Sequence, residues 1–469
     1  MSTETYDLAI LGAGSVGLIA ADFAVKLGAR VVMIERDRIG GDCTWSGCVP
    51  SKSLLKVARV AHQLRTASTL GIQSVPPVVD MLQVREYLRS TIRQIYKGTT
   101  PEALQQKGMD ILLGPASFVD PHILMVGTQR ISAKKMLIAT GAEPLIPSLP
   151  GLSAVPYSTY RQIFENDHLP AAMVVIGGGP VGLEIAQAYQ RLGTQVIVFA
   201  ERLLPKEEPD ASEIIARVFE REGLQIVPER AVSVEQAGYR AAVHSAGQRI
   251  ECDLLLVAAG RKPTLDGLNL EAAGVKYSGK GIEVNRHLQT STNSIYAAGD
   301  VLGGEQFSHL AGWQGFQAAR NALLPGSNSC FPSVMPRITF TDPEVAQVGL
   351  TFAQALAANR NPVVSTWPIT RVDRAVCDND CEGMIKIIAT PAGTILGATI
   401  VGHRAGEAIM EIVMAMQNNL KVSDLASIIH PYPTYNSGIQ LLATEMAVED
   451  SLTGLSGALI RTASKMVRG

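Results

Sequence analysis

The stretch Leu8-Ala9-Ile10-Leu11-Gly12-Ala13-Gly14-Ser15-Val16-Gly17 decides the fold of the first part of this chain. A short apolar strand runs into a glycine-rich turn, and a helical pattern follows. A second apolar strand then ends in Glu35. Gly12, Gly14 and Gly17 permit a tight turn and let a pyrophosphate approach the helix N-terminus, while Glu35 can hydrogen-bond a ribose hydroxyl. The pattern predicts a dinucleotide-binding unit rather than a turn with incidental glycines.

The same pattern recurs further along the chain. Val174-Val175-Ile176 runs into Gly177-Gly178-Gly179-Pro180-Val181-Gly182, followed by another helix and strand. Two Rossmann-like units indicate two dinucleotides, such as FAD and NAD(P)H. In the second unit Ala200 stands where an acid is usual, and Glu201 and Arg202 follow it. Two cations, Arg202 and Lys206, suit a 2′-phosphate, whereas Glu201 suits a 2′-hydroxyl, so NADPH is favoured and NADH stays open.

Two cysteines lie close together after the first unit, in Gly40-Gly41-Asp42-Cys43-Thr44-Trp45-Ser46-Gly47-Cys48-Val49-Pro50-Ser51-Lys52. The glycine pair at 40 and 41 lets the backbone approach a ligand closely. A cation such as Lys52 and a helix N-terminus both favour the reactive thiolate. The spacing suits a redox-active pair, although free cysteines are often inert buried side chains.

Three other apolar strands end at turns that suit a bound cofactor. Leu137-Ile138-Ala139-Thr140-Gly141-Ala142 and Leu255-Leu256-Val257-Ala258-Ala259-Gly260-Arg261 both close on a glycine. Ile295-Tyr296-Ala297-Ala298-Gly299-Asp300 ends in an acid that can hold a polyol hydroxyl. We therefore count Thr140, Gly141, Gly260 and Asp300, with Gly41, among the candidate cofactor-binding residues.

The composition is that of a globular enzyme. Apolar residues make up 46% and charged residues 18% of 469 residues, and this length requires several domains. The net charge of −2 offers no basic surplus for nucleic acid or an acidic membrane. No apolar run is long enough for a membrane span, and the N-terminus lacks the pattern of a signal peptide. With only six cysteines, we expect a cytoplasmic protein that binds neither nucleic acid nor membrane.

Together these motifs resemble the pyridine nucleotide-disulfide oxidoreductases, the flavoprotein family that includes dihydrolipoamide dehydrogenase, glutathione reductase and mercuric reductase. The resemblance implies an α/β protein with two Rossmann-like domains and a C-terminal α+β dimerisation domain. Residues 1–148 and 265–330 would bind FAD, residues 149–264 would bind NAD(P), and residues 331–469 would form the interface of a homodimer. That last region also contains the C-terminal tail.

The resemblance also implies roles for individual residues. Cys48 would lie against the flavin, and Cys43 would exchange with the substrate. Lys52 and Glu184 would form an ion pair beside the flavin, and Asp300 would hold its ribityl chain.

The acceptor depends on the segment Tyr432-Pro433-Thr434-Tyr435-Asn436-Ser437. Disulfide-reducing members carry His-Pro-Thr and a glutamate here, whereas this chain has Tyr432 and Ser437 at those positions. Histidine suits proton transfer near neutral pH and tyrosine, with a pKa of about 10, does not. Tyr432 and the segment around Tyr96 instead resemble mercuric reductase. In an enzyme that resembles mercuric reductase, Cys43 and Cys48 would hold Hg(II) transiently. Either tyrosine could instead simply pack in a core or an interface.

Two features depart from mercuric reductase. The chain has neither a C-terminal cysteine pair nor a cysteine before Cys43, although Cys377 and Cys381 could form a second pair. A dihydrolipoamide dehydrogenase-like enzyme without the usual His/Glu dyad therefore stays open. A redox-sensing or partner-binding flavoprotein with little turnover is the third hypothesis. Beyond Leu452, apolar residues at three- and four-residue steps predict an amphipathic helical tail.

Overall fold

The computed structural model of the protein describes residues 5–452 and 454–468. They fall into two compact units. The first contains the chain up to Gly177 together with Ala188–Phe199 and Glu229–Pro332. The second contains Gly178–Gln187, Ala200–Pro228 and the chain from Ser333 onward. The domain boundaries expected at residues 148, 264 and 330 stay a prediction.

The helices and strands follow in chain order. Up to residue 148 they are β1 (Tyr6–Leu11), α1 (Ser15–Lys26), β2 (Val31–Glu35), α2 (Gly41–Trp45), α3 (Cys48–Thr66), α4 (Met81–Tyr96), α5 (Pro101–Gln106), β3 (Met109–Leu113), β4 (Ala116–Asp120), β5 (Ile123–Val126), β6 (Gln129–Ile138) and β7 (Ala142–Pro144). From there to residue 332 they are β8 (Ala172–Ile176), α6 (Pro180–Leu192), β9 (Gln195–Phe199), α7 (Pro209–Arg221), β10 (Gln225–Val227), β11 (Ser233–Ala237), β12 (Arg240–His244), β13 (Arg249–Cys252), β14 (Leu254–Val257), β15 (Arg261–Pro263), β16 (Tyr277–Ser278), β17 (Gly281–Ile282), β18 (Ile295–Ala297) and α8 (Ser308–Leu323). The remainder is β19 (Arg337–Thr339), β20 (Glu344–Gly349), α9 (Phe352–Ala357), β21 (Val363–Pro368), α10 (Asp373–Cys377), β22 (Met384–Ala389), β23 (Ile395–Gly402), α11 (Ala405–Gln417), α12 (Val422–Ser427), α13 (Ser437–Leu452) and α14 (Gly454–Arg468).

The first unit is built on a seven-stranded sheet of order β3-β2-β1-β6-β5-β4, with β18 also pairing with β6. Strands β3, β2, β1, β6 and β18 pair in parallel, while β4 and β5 add an antiparallel edge. The apolar residues of β1 are buried on both faces, as expected for a central parallel strand. A second parallel group, β14-β8-β9, belongs to the same unit. Both predicted strand–turn–helix–strand units are therefore confirmed.

Glycine is required where each of these units turns from strand to helix. Gly12 has φ +110°, and a Cβ there would lie 2.3 Å from Ala139 O. Gly177 has φ +126°, and a Cβ there would lie 2.3 Å from Ala258 O. Any other residue would be strained and would collide with backbone, so these two positions fix the turns.

The second unit contains a five-stranded antiparallel sheet of order β19-β20-β23-β22-β21. Its apolar core includes Trp367, Ile385 and Ile400 of the sheet and Ile409 and Ile412 of α11. The sheet and its packed helix confirm the α+β structure that the sequence predicts from about residue 331. The tail predicted to be helical forms α14. Among the described helices, none combines the length and apolar character needed to cross a bilayer.

Candidate active site

The two cysteines of the Gly40–Lys52 stretch lie on neighbouring helices. Cys43 is in α2, and Cys48 is the first residue of α3. Both are partly buried free thiols. A hydrogen bond with Cys48 and burial raise the pKa of the Cys43 thiol. The Cys43 thiol therefore holds its proton more tightly than an ordinary cysteine does.

A second helix reaches the same sulfur atom. Cys48 Sγ lies 3.2 Å from Ser308 Oγ, and Ser308 is the first residue of α8. The N-termini of α3 and α8 thus meet at this thiol. Because a helix N-terminus carries partial positive charge, both helices favour negative charge on Cys48. No sequence motif near Ser308 predicts this contact, because it forms only when α3 and α8 pack together in the tertiary structure.

A network of four polar side chains lies beside the cysteine helices. The Arg261 guanidinium donates to Asp300 Oδ2 at 2.6 Å and to Asp42 Oδ2 at 3.1 Å. Tyr160 donates its hydroxyl to Asp42 Oδ2 at 2.6 Å. Burial raises the pKa of Asp300 despite the arginine, and it raises the pKa of Tyr160 to about 12. The network anchors Asp42, which is adjacent to Cys43, to the strand end that carries Asp300.

The first glycine-rich turn fits the pyrophosphate and ribose of FAD. Gly14 is the N-cap of α1, and no side chain caps the helix there. A Cβ on Gly41 would lie 3.0 Å from Gly14 Cα, so the two glycines bring bare backbone together. Glu35 Oε2 accepts from Ala13 N at 2.8 Å, which places the acid beside the turn. Uncapped N–H groups beside a carboxylate suit a phosphate and a ribose hydroxyl respectively.

Three of the other candidate cofactor residues have structural contacts. Thr140 donates its hydroxyl to Thr264 O at 2.8 Å, and Gly141 O accepts from Thr264 N at 3.0 Å. Gly260 O accepts from Leu145 N at 2.9 Å. These bonds join the ends of β6 and β14 to β15 and β7. Their backbone could still contact a cofactor, and that role stays a prediction.

The start of α6 leaves room for a ligand. Nothing lies within 4 Å of a Cβ built on Gly179, and Gly182 lies in the first turn of α6. Glu201 and Arg202 follow β9 and are exposed, and Arg202 donates to Glu207 O at 3.1 Å. The open N-terminus suits the pyrophosphate of a nicotinamide dinucleotide. The two side chains do not decide between NADPH and NADH.

The residues expected to form an ion pair lie in separate units. Lys52 is in α3, one turn after Cys48, and is half-buried. Glu184 is in α6, is 5% exposed, and accepts from Phe340 N at 2.9 Å. The Lys52–Glu184 pair itself stays a prediction.

The two candidate tyrosines have different surroundings. The Tyr96 ring packs edge-on against Trp45 of α2, with ring centres 5.0 Å apart, so it buttresses the cysteine helix. Tyr432 is 76% exposed and donates its hydroxyl to Asp373 Oδ2 at 2.7 Å. That hydrogen bond raises the pKa of Tyr432. Tyr432 is therefore a neutral hydrogen-bonding group at ordinary pH and not a base.

His430 does not replace the missing active-site histidine. Its Nε2 lies 2.7 Å from Glu411 Oε1, and its Nδ1 lies 3.0 Å from Ile428 O. Asn436 donates to the other oxygen of Glu411 at 2.8 Å. Both ring nitrogens of His430 are therefore engaged with neighbouring oxygen atoms. Cys377 ends α10 and is exposed, and Cys381 is half-buried; both are free thiols, and their pairing stays a prediction.

Comparison with known proteins agrees with this geometry. Residues 6–323 match the pyridine nucleotide-disulphide oxidoreductase family, and residues 335–443 match the dimerisation domain of that family. The fold, with a dithiol that follows a glycine-rich dinucleotide-binding turn, is that of a flavoprotein disulfide reductase. The chain belongs to the pyridine nucleotide-disulphide oxidoreductases, a family that binds FAD and uses NAD(P)H.

The most similar relatives fall into two groups. A mercuric reductase from Staphylococcus aureus is 36% identical over 447 residues, covering 93% of this chain and 82% of that protein. A dihydrolipoyl dehydrogenase from Thermus scotoductus is 35% identical over 448 residues, covering 93% and 96%. Among solved structures, the HOCl-induced flavoprotein disulfide reductase RclA from Escherichia coli has a TM-score of 0.85 at 26% identity, covering 94% of this chain and 99% of that chain.

Proposed function

We propose that this protein passes electrons from NAD(P)H through FAD and the Cys43–Cys48 pair to an acceptor, and that the acceptor is Hg(II) or another soft metal ion. The observation that carries the proposal is the pair of neighbouring thiols, of which Cys48 lies where the N-termini of α3 and α8 meet. FAD, when bound, would supply a two-electron carrier between the nicotinamide and the Cys43–Cys48 disulfide. With Hg(II), the balanced reaction is NAD(P)H + Hg(II) → NAD(P)⁺ + H⁺ + Hg(0).

The protein's own groups suit this chemistry. Two adjacent thiols are soft ligands that match a soft cation, and the helix N-termini at Cys48 favour its thiolate form. Tyr432, an exposed neutral hydroxyl, is a hydrogen-bonding group that does not compete with thiolates as a ligand for a soft cation. We also propose that the chain acts as a homodimer, in line with its match to the dimerisation domain.

The relatives support a metal acceptor. Several relatives at 34–36% identity are mercuric reductases. The RclA protein has also been solved as a Cu(II) complex, with a TM-score of 0.85 to this chain. Cu(II) therefore belongs in any test of acceptors alongside Hg(II).

A dihydrolipoamide dehydrogenase-like activity is the second candidate. It is supported by the relative from Thermus scotoductus, which this chain matches over 96% of that protein's length. Tyr432 and the fully engaged imidazole of His430 weigh against it, because thiol–disulfide exchange needs an available base. A redox-sensing flavoprotein with little turnover is the third candidate. The combined presence of Lys52, Glu184 and the Cys43–Cys48 pair argues against it, because a binding module has no use for all of them.

One panel separates the three candidates. Purified protein is assayed with NADH and with NADPH against Hg(II)–thiol complexes, Cu(II), oxidised glutathione and quinones, and with dihydrolipoamide plus NAD⁺. Fast metal-dependent oxidation of NAD(P)H that disappears in Cys43→Ser supports the leading proposal. Faster NAD⁺ reduction by dihydrolipoamide supports the second, and no turnover with any acceptor supports the third.

A matched pair of tyrosine variants tests the role of the hydroxyl. Tyr432→Phe should lower kcat with the metal and leave NAD(P)H binding unchanged. Tyr239→Phe, which changes another largely exposed tyrosine, is the control.

A further inference from the structure

Three potential metal ligands converge at one end of the five-stranded sheet in the second unit. Ligand atoms of Asp342, Asp380 and His403 all lie within 4.8 Å of one another. His403 Nδ1 is 3.5 Å from Asp380 Oδ2, and the three residues are partly buried. None of these residues has a part in the proposed electron transfer.

The strand register explains how the three residues meet. Asp342 precedes β20, which begins at Glu344 opposite Gly402, the last residue of β23. His403 follows Gly402 directly. Asp380 lies shortly before β22, which begins at Met384 opposite Val401 of β23. Because β20 and β22 both run antiparallel to the central strand β23, their starts lie at the end of β23, and the preceding loops share that edge.

Asp342 is fixed before any ligand binds. Its backbone N–H donates to Gln187 Oε1 at 2.8 Å, and its carbonyl accepts from Gln187 Nε2 at 2.7 Å. The side chain of Gln187 is 1% exposed, so this two-bond anchor is rigid.

The other two residues are held by neighbouring turns. Asp380 N donates to Ala375 O at 2.9 Å, which closes the turn after α10. The ring of His403 packs against the ring of Tyr435, with centres 5.3 Å apart. Three ligands on anchored loops meet the geometric requirement for a metal site, since a cation does not have to order them.

We propose that Asp342, Asp380 and His403 bind a divalent transition-metal ion of the Zn²⁺ class, at a site separate from the Cys43–Cys48 pair. An imidazole with two carboxylates suits Zn²⁺, Co²⁺, Ni²⁺ or Cu²⁺ better than Mg²⁺ or Ca²⁺, which prefer all-oxygen ligands. Three protein ligands leave a position open for water or another ligand.

The test uses the full-length chain carrying Cys43→Ser and Cys48→Ser, so that those thiols do not bind the metal. Equilibrium dialysis with Zn²⁺ should give one ion per chain, and the visible spectrum with Co²⁺ should report a nitrogen–oxygen ligand set. His403→Gln and Asp380→Asn should each weaken binding by at least about tenfold. His168→Gln is the control, because it changes an exposed histidine that is also paired with an aspartate.

A second readout keeps the test independent of folding defects. Zn²⁺ should raise the melting temperature of the parent and of His168→Gln, and should leave that of Asp380→Asn unchanged, because binding to the folded state alone stabilises it. Unchanged affinity in His403→Gln and Asp380→Asn overturns the proposal. So does an absence of saturable binding, or binding that is lost only when Cys377 and Cys381 are changed to serine.

Discussion

Cys48 and Ser308 are 260 residues apart in the chain, yet the sulfur of one lies 3.2 Å from the hydroxyl oxygen of the other. Each is the first residue of a helix, so the contact brings two helix N-termini to one sulfur atom. Because both helix ends favour negative charge, this is the position in the pair where a thiolate is best stabilised. The hydrogen bond with Cys48, together with burial, raises the pKa of the Cys43 thiol.

Replacing Ser308 should slow the chemistry of Cys48. We expect Ser308→Ala to remove about 1 kcal/mol of stabilisation of the thiolate, since one hydrogen bond is lost. The rate of alkylation of the reduced protein by iodoacetamide at pH 7 should fall about fivefold. Ser308→Thr keeps the hydroxyl and should react at nearly the parent rate. Equal rates in all three proteins would show that the hydroxyl does not act on the sulfur.

Cys48 should be the cysteine that interacts with the flavin. Cys48→Ala should purify with FAD but lose the long-wavelength thiolate-to-flavin absorption band of the reduced protein. Cys43→Ala should keep that band, because Cys48 and the two helix ends remain. The ratio of flavin to protein and the visible spectrum after reduction measure both effects. Survival of the band in Cys48→Ala would reverse the assignment of the two cysteines.

Replacing either of two glycines of the first turn by alanine should have different effects on folding and FAD binding. A Cβ on Gly17 would lie 2.0 Å from Gly12 O, so Gly17→Ala should disrupt the turn and abolish both folding and FAD content. A Cβ on Gly14 meets nothing nearer than Gly41 Cα at 3.9 Å. Gly14→Ala should therefore fold and bind FAD more weakly, as judged by thermal melting and flavin content. Full FAD content in Gly14→Ala would argue against a pyrophosphate at this helix end.

Arg261 should contribute to stability as well as to the site. Arg261→Met leaves Asp300 and Asp42 without their shared cation and should lower the free energy of unfolding by about 3 kcal/mol. The expected loss lies at the lower end of the range for removing one partner of a buried ion pair, because the Arg261 side chain is 22% exposed. Arg249→Met breaks two exposed ion pairs and should change stability little. Urea unfolding measures both, and similar effects in the two variants would contradict this account.

The helical tail should be dispensable for the core. Its apolar side chains at Leu459, Met466 and Val467 are 72–87% exposed in a single chain, so none of the three packs on its own core. Deleting residues 454–469 should leave FAD content and dimerisation intact, as measured by flavin absorbance and light scattering. Dissociation of the dimer would show that α14 belongs to the interface. Loss of liposome binding by an intact dimer would instead identify α14 as a membrane-surface anchor.

The sequence by itself determined the two dinucleotide units and the presence of a C-terminal α+β region. These follow from local rules, since an apolar strand, a glycine with positive φ and a helix are each specified by adjacent residues, as at Gly12 and Gly177. The closeness of Cys43 and Cys48 was evident for the same reason. Tyr432 was recognised because it stands in a short motif.

Tertiary structure alone decided which distant side chains meet. Ser308 contacts Cys48, Arg261 bridges Asp42 and Asp300, and Glu411 contacts the imidazole of His430. These contacts exist only because separate helices and strands pack together. Strand register likewise gathers the ligand atoms of Asp342, Asp380 and His403 from three loops. Such contacts carry no local sequence pattern, because each depends on the packing of elements that lie tens to hundreds of residues apart.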